Sequence, residues 1–225
     1  MLNMLLAIDT ATQTMSIALH DGAELILEQT WQTSNNHTVE LAPAVHGALA
    51  RAGNPLLTAM AVSIGPGTYT GLRVGVALAK AMASAGDLPL VGISTLELLA
   101  IAQPHFPGSL IGVVKAGRGR VVTATYRWRK GHWLTQGDAE ILHWDTLLES
   151  VKGAAIITGE VDEEGREAIQ NARKTNSQLT LAPAVRRLRR AGFLAEEAWQ
   201  RLRADRDSHI AARVTPIYVK TKDSP

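Results

Sequence analysis

At 225 residues and 46% hydrophobic content, the chain is long enough for one large domain or two small ones with a sizeable core, which excludes a disordered protein. It has no cysteine, so a disulfide framework and a Cys-ligated zinc site are both excluded, and the cytosol is the simplest compartment. The net charge of +2 hides an asymmetry: residues 1–101 hold three basic and seven acidic residues and the remainder 20 and 14, which fits two lobes with different partners or simply solvated surfaces of unlike charge.

The opening "MLNMLLAIDTATQ" lacks a basic leader and meets Asp9 early, so it predicts a buried first strand, not a signal peptide. No apolar run approaches the roughly 20 residues of a membrane span. "LLAIDTA" (5–11), "MSIALHDG" (15–22) and "AELILEQTW" (23–31) are short apolar runs separated by Thr-rich and Asp-Gly punctuation, a hairpin meander. In "HTVELAPAVHGALARAG", Val39, Leu41, Val45, Ala48, Leu49 and Ala52 fall at helical spacing up to a Gly53 C-cap, with Pro43 early enough to be tolerated. "LTAMAVSIG" is a buried strand, a glycine loop follows, and a helix is predicted from about residue 70 to 85. "LPLVGIS" and "TLELLAIAQ" read as a further buried strand and helix.

"QPHFPG" (103–108) is the clearest linker, dividing an N-terminal lobe, 1–101, from a divergent C-terminal lobe, 102–225. Beyond it, "LIGVVKA" and "RVVTATYRW" flank the turn "GRGR", "AEILHW" is a third strand candidate, and "AAIITGE" is a buried strand running into a glycine turn. The stretch from about 184 to 206 sets Val185, Leu188, Ala191, Ala195, Ala198, Trp199 and Leu202 on one helical face with arginines elsewhere; this last helix is a candidate to pack back on the first lobe. The meander followed by alternating helices and strands is expected to recur once in degraded form. The class is mixed α/β in two lobes.

Two motifs carry candidate chemistry. In "AIDTATQTMSIAL", an Asp at the end of a first strand and hydroxyl residues in a tight turn suit a phosphate held by backbone N–H groups and Thr10 or Thr12, with Asp9 on a hydrated Mg²⁺; a hairpin turn bonded to itself is the structural alternative. "GPGTYTG" puts flexible backbone before a helix N-terminus, an anion-attracting arrangement. It is not a Walker loop, because Thr70-Gly71-Leu72 stands where Lys-Ser/Thr is required, and a structural tight turn is the plainer reading. Behind it, Gly71, Gly75, Ala79 and Ala83 recur every four residues beside Val74, Leu78 and Met82, a stripe that lets another backbone approach closely, inside the chain or across a subunit contact. The seven histidines include no i, i+4 pair for a helical metal site, and neither a cysteine nucleophile nor a G-x-S-x-G elbow is present. "RRLRR" (186–190) fits phosphate binding or a solvated arginine face.

At "LLAIDTAT…SIAL", "GPGTYTGLRVGVALAKAMA" and "LVGISTLELLA" together, the chain resembles the TsaB (YeaZ) family, bacterial proteins required for threonylcarbamoyladenosine (t6A) modification of tRNA. The resemblance is continuous over about the first 100 residues and thinner beyond. There Lys115 and Arg120 stand where the family tends to carry an acid and a Glu, and Lys220 replaces the Arg of its Pro-x-Tyr-x-Arg close. The resemblance implies a two-lobed actin-like, Hsp70-like ATPase fold (ASKHA, RNase H-like) without the catalytic machinery of the paralogue TsaD. It implies a noncatalytic scaffold with TsaD and the ATPase TsaE as partners, tRNA reached through the complex, a homodimer when alone, and a cytoplasmic location. It puts the partner interface on Leu41, Val45, Leu49, Gly71, Gly75, Leu78, Ala79 and Met82. No catalytic residue and no metal are expected, Asp9 and Thr10 remain as relics of a phosphate motif, and ATP or ADP would bind weakly at most or only in the assembled complex. The rival readings are an ATP-dependent small-molecule kinase of the same fold, for which Thr158 and Gly159 are the sole adenosine-site candidates, and a glycoprotease-like metallopeptidase, which lacks its histidine ligands.

Overall fold

The structure, a computed structural model, describes residues 4–34 and 36–219. They form two compact units, residues 4–95 with 189–217 and residues 96–188 with 218–219.

In the first unit, β1 (Met4–Asp9), β2 (Thr14–His20) and β3 (Leu25–Gln32) are the antiparallel meander, followed by α1 (His37–Arg51), β4 (Leu57–Ser63), α2 (Tyr69–Ala85), β5 (Leu90–Ile93) and the start of α3 (Thr95–Ile101). The sheet order is β3-β2-β1-β4-β5, with β4 parallel to β1 and to β5. All six β1 residues are buried because both sheet faces are covered. On one face Met4, Leu6 and Ile8 meet Met15, Ile17, Leu19, Met60 and Val62, under Leu41, Val45 and Ala48 of α1 and Val76, Ala79 and Ala83 of α2. The other face carries α7 (Ala191–Ala204), which lies along β1 and β2: Ala191 N donates to Ser16 Oγ at 2.9 Å and Trp199 Nε1 to the His20 carbonyl at 3.3 Å.

In the second unit, β6 (Ser109–Gly117), β7 (Arg120–Arg129) and β8 (His132–Thr135) form a second antiparallel meander. They are followed by β9 (Glu140–His143), α4 (Trp144–Ser150), β10 (Ala155–Gly159), α5 (Glu163–Ala172), β11 (Leu179–Leu181) and α6 (Ala184–Arg187). The order β8-β7-β6-β10-β11, with β10 parallel to both β6 and β11, repeats that of the first sheet strand for strand, and β9 is an addition paired with β7. This twice-used order is the actin-like, RNase H-like topology. Leu96, Leu99 and Ala100 of α3 pack with Leu110, Val114, Val122 and Tyr126 on one face of the second sheet; burial there, and secondarily Glu97, pushes the Tyr126 hydroxyl above its ordinary pKa. The opposite face packs on Trp144, Leu147 and Ile169 of α4 and α5.

Several expectations change. The division falls at residues 95/96 and 188/189, not after 101, because the apolar side of α3 is buried in the second unit and α7 in the first. The helix predicted over 184–206 is two helices separated by extended backbone at Leu188 and Arg190, where the arginines reach acidic partners described below. With the α7 arginines in the first unit, the charge asymmetry shrinks: nine basic and ten acidic residues there, twelve and ten in the second. "AEILHW" is a strand only to His143, and Trp144 opens α4. Lys220 lies outside the described residues.

Candidate functional site: the first hairpin turn and the small-residue helix

The turn between β1 and β2 is built on Asp9, which has no solvent exposure. Its Oδ1 accepts from Ala11 N at 2.9 Å, an Asx-type turn, and its Oδ2 accepts from Arg189 Nε at 3.0 Å. The Arg189 side chain is 2% exposed and also donates to Thr12 Oγ1 and, at 3.3 Å, to the Thr14 carbonyl. The guanidinium thus ties the two ends of the turn to one carboxylate. The next residues extend the clamp: Arg190 Nε donates to Glu28 Oε2 at 2.7 Å and Gly192 N to Glu28 Oε1 at 2.7 Å. Arg189 and Arg190 are therefore structural, a correction to the reading of 186–190 as one arginine face for phosphate; Arg186 and Arg187 close α6 in the other unit.

Thr10 turns the other way. Its Oγ1 donates to the Gly71 carbonyl at 2.7 Å, Thr68 N donates to the Ala11 carbonyl at 2.7 Å, and Thr68 caps α2 through Gly71 N at 3.3 Å. The α2 glycines make this approach feasible. A Cβ at Gly67 would overlap the Ala11 carbonyl, one at Gly71 the Thr10 carbonyl, and one at Gly75 the Thr10 hydroxyl. Within α2, Gly71 and Gly75 each weaken the helix by about 1 kcal/mol relative to alanine, and the docked hairpin turn offsets that loss. His37, at the start of α1, is buried as well, with Nε2 2.8 Å from the Thr12 carbonyl.

This geometry does not fit a magnesium nucleotide. Both Asp9 oxygens are engaged, an internal cation stands where a hydrated metal would, the Thr10 hydroxyl is spent on α2, and Asp9 to Thr12 are buried. In the second unit, Thr158 is buried with Oγ1 3.4 Å from the Arg186 carbonyl, and a Cβ at Gly159 would overlap the Val113 carbonyl, so this pair also serves packing. Lys115 is exposed, with its N–H donating to Glu160 Oε2 at 3.1 Å; Arg120 is half-buried.

Of the eight residues expected at a partner interface, Leu41, Val45, Gly71, Gly75 and Ala79 are buried in the first unit's own packing, which corrects their assignment as surface contacts. Leu49, Leu78 and Met82 are half-buried. Two further apolar groups on these helices are exposed: Val39, which the helical spacing groups with Leu41 and Val45, at 70%, and Tyr69 at 58%, with the Arg73 guanidinium 3.8 Å over its ring. Tyr69 lies outside the small-residue stripe of α2, the signal available in the sequence, whereas Val39 is masked by its place in the apolar spacing.

No helix among the described residues is long and apolar enough to cross a membrane. The family described as "TsaD: tRNA N6-adenosine threonylcarbamoyltransferase" matches residues 26–160. The "tRNA threonylcarbamoyladenosine biosynthesis protein TsaB" of Bacillus subtilis (strain 168) is 40% identical over 129 residues, 56% of this chain and 56% of that protein. The protein of the same description from Escherichia coli (strain K12) is 34% identical over 154 residues, 66% of each chain. The matched stretch thus spans between about half and two thirds of these relatives. The solved structure "YeaZ from Pseudomonas aeruginosa" superposes with a TM-score of 0.74 over 96% of this chain and 100% of that one, at 22% identity, a likeness of fold.

Proposed function

This chain belongs to the TsaB (YeaZ) family of tRNA threonylcarbamoyladenosine biosynthesis proteins, and from that premise we propose that it is a noncatalytic subunit that binds and activates TsaD. The reaction served is transfer of the threonylcarbamoyl group from threonylcarbamoyl-AMP to N6 of the tRNA adenosine beside the anticodon, in the cytoplasm, with TsaE as a further partner. The carrying observation is the capture of Asp9 by Arg189: the one carboxylate poised at a phosphate-type turn is neutralised internally, so this chain brings no free acid, base or metal ligand of its own there. Catalysis by electrostatic stabilisation needs groups aimed at developing charge, and such groups would come from the partner.

The partner surface is the accessible ridge of α1 and α2 that carries Leu49, Leu78 and Met82, half-buried against the first unit's core. An apolar ridge of this kind favours cover by TsaD, or by a second copy when TsaD is absent. The test is calorimetric association with TsaD from the same organism, for the wild type and for Leu78→Glu/Met82→Glu. Gly75→Leu is unsuitable because it would collide with Thr10 inside the unit. Tight binding by the wild type and a loss of roughly 30-fold or more in the variant, as for central interface residues, supports the reading. Equal binding by both removes the ridge from the interface, and no binding by the wild type overturns the subunit role.

A further inference from the structure

We propose that the β7–β8 hairpin is a contact for the phosphodiester backbone of RNA, an inference that rests on reading the chain as a subunit of a tRNA-modifying assembly. From Lys115 to Gly137 the sequence contains six basic residues and no acid, and three of the six, Arg127, Arg129 and Lys130, crowd the end of β7 and its turn. All three are exposed, and among the described residues none has an ion-pair partner or a side-chain hydrogen bond. Three exposed or partly exposed arginines elsewhere are ion-paired, Arg190 with Glu28, Arg201 with Glu197 and Arg166 with Glu163, whereas exposed Arg118 and Arg173 have no ion pair among the described residues, so what sets the hairpin tip apart is the crowding of three unpaired cations. The nearest acids in sequence, Asp138 and Glu140, come only after β8 has ended.

The hairpin presents these charges in a fixed order. Arg129 pairs with His132 and Arg127 with Leu134, and Lys130 (φ 53°) and Gly131 (φ 88°) close a two-residue turn with both central residues left-handed, as the tightest hairpins require. Residues two apart on a strand share a face, so Arg127, Arg129 and the cross-strand His132 lie together, with the two arginine Cα atoms about 7 Å apart. The opposite face is anchored. The Trp128 and Trp133 rings meet edge to face at 5.3 Å, His105 lies 5.3 Å from Trp128, and Trp133 Nε1 donates to the Gln103 carbonyl at 3.1 Å. A rigid platform loses little conformational freedom when its tip binds.

The chemistry of the tip favours a polyanion. Guanidinium forks match phosphate oxygens, and Lys adds a point charge. Leu134, 42% exposed opposite Arg127, adds an apolar group to this face but no buried centre, and protein interfaces, though enriched in Arg, are depleted of Lys and of charge at their cores, so RNA is preferred over an acidic protein surface. Each phosphate neutralised would steepen the salt dependence of binding by about 0.7 to 0.9 in slope.

The experiment measures fluorescence anisotropy of labelled, unmodified tRNA with the full chain over a series of KCl concentrations. The proteins are wild type, Arg127→Gln/Arg129→Gln/Lys130→Gln, and a control of equal charge loss on the same unit, Lys152→Gln/Arg173→Gln/Lys174→Gln, all exposed. The hairpin variant is expected to lose about tenfold or more in affinity at low salt and about 2 in the slope of log K against log [salt], with the control near wild type. Unchanged affinity and slope in the hairpin variant, an equal loss in the control, or no tRNA binding by the wild type alone or mixed with TsaD overturns the proposal. Intact tRNA affinity with lost TsaD association also overturns it and makes the hairpin a protein contact. TsaD association, measured on the same proteins, separates the two readings: its retention in a variant that no longer holds tRNA supports both, and its failure in a wild type that still binds tRNA through the hairpin overturns the subunit role alone.

Discussion

Replacing Arg189 by methionine leaves Asp9 buried with half of its partners. The pair sits at 2% and 0% side-chain exposure, and Arg189 also holds Thr12 and the Thr14 carbonyl, so the loss is that of a buried, hydrogen-bonded ion pair and not of a surface contact. Removing one partner of such a pair destabilises by about 3–5 kcal/mol, because the other charge stays in a poor solvent. At about 1.4 kcal/mol per decade, that range corresponds to roughly 100- to 4,000-fold faster hydrogen exchange for amides that exchange by opening of the first unit. The assay is native-state exchange followed amide by amide: β1 and β2 should accelerate by that factor, and β6 and β7 by less, since neither partner belongs to their unit. Asp9→Asn combined with Arg189→Met removes both charges and should recover much of the loss, since the uncompensated charge, more than the missing attraction, drives it. Exchange in Arg189→Met within about twofold of wild type would refute the reasoning, because a change of at most about 0.5 kcal/mol is what a solvated surface substitution produces.

Gly75→Ala should destabilise the first unit by about 1–3 kcal/mol even though alanine is the better helix former, since its Cβ overlaps the Thr10 hydroxyl. In a Thr10→Ala background the Thr10 Cβ still lies 3.3 Å from the added methyl, so the double variant should lose less than the sum of the singles in urea denaturation. The Asp21 carboxyl is held below its ordinary aspartate range, chiefly by the N–H of Glu24 and then that of Ala23. A depressed folded pKa stabilises above the unfolded pKa and is lost as pH falls through the folded one, so carboxyl NMR should place the Asp21 midpoint below that of an unstructured peptide, and the β2–β3 turn should loosen only at acid pH.

Local order was legible because it is written in neighbouring residues. The apolar runs of β1, β2, β4 and β5 are wholly or largely buried strands, the helical spacing from Val39 to Ala52 became α1, and the meander with its alternating helices returned in the second unit. A scarcity of apolar residues hid α5, whose buried residues are only Gly165 and Ile169, and the arginine-rich stretch looked like one helix because its apolar spacing continues across a break that distant acids impose. The glycine stripe announced a close backbone approach but not its occupant. That occupant is the Thr10–Ala11 turn, some sixty residues upstream, and it moved Gly71, Gly75 and Ala79 from the expected partner surface into the core. Asp9 met the same limit: its position at a strand end suits a phosphate turn, and only the fold brings in Arg189, 180 residues away, to occupy it. Periodicity and turn chemistry act over a few residues and are fixed by the chain itself, whereas the choice of which side chain neutralises a buried charge, or which loop fills a groove, depends on what three-dimensional packing delivers to that point.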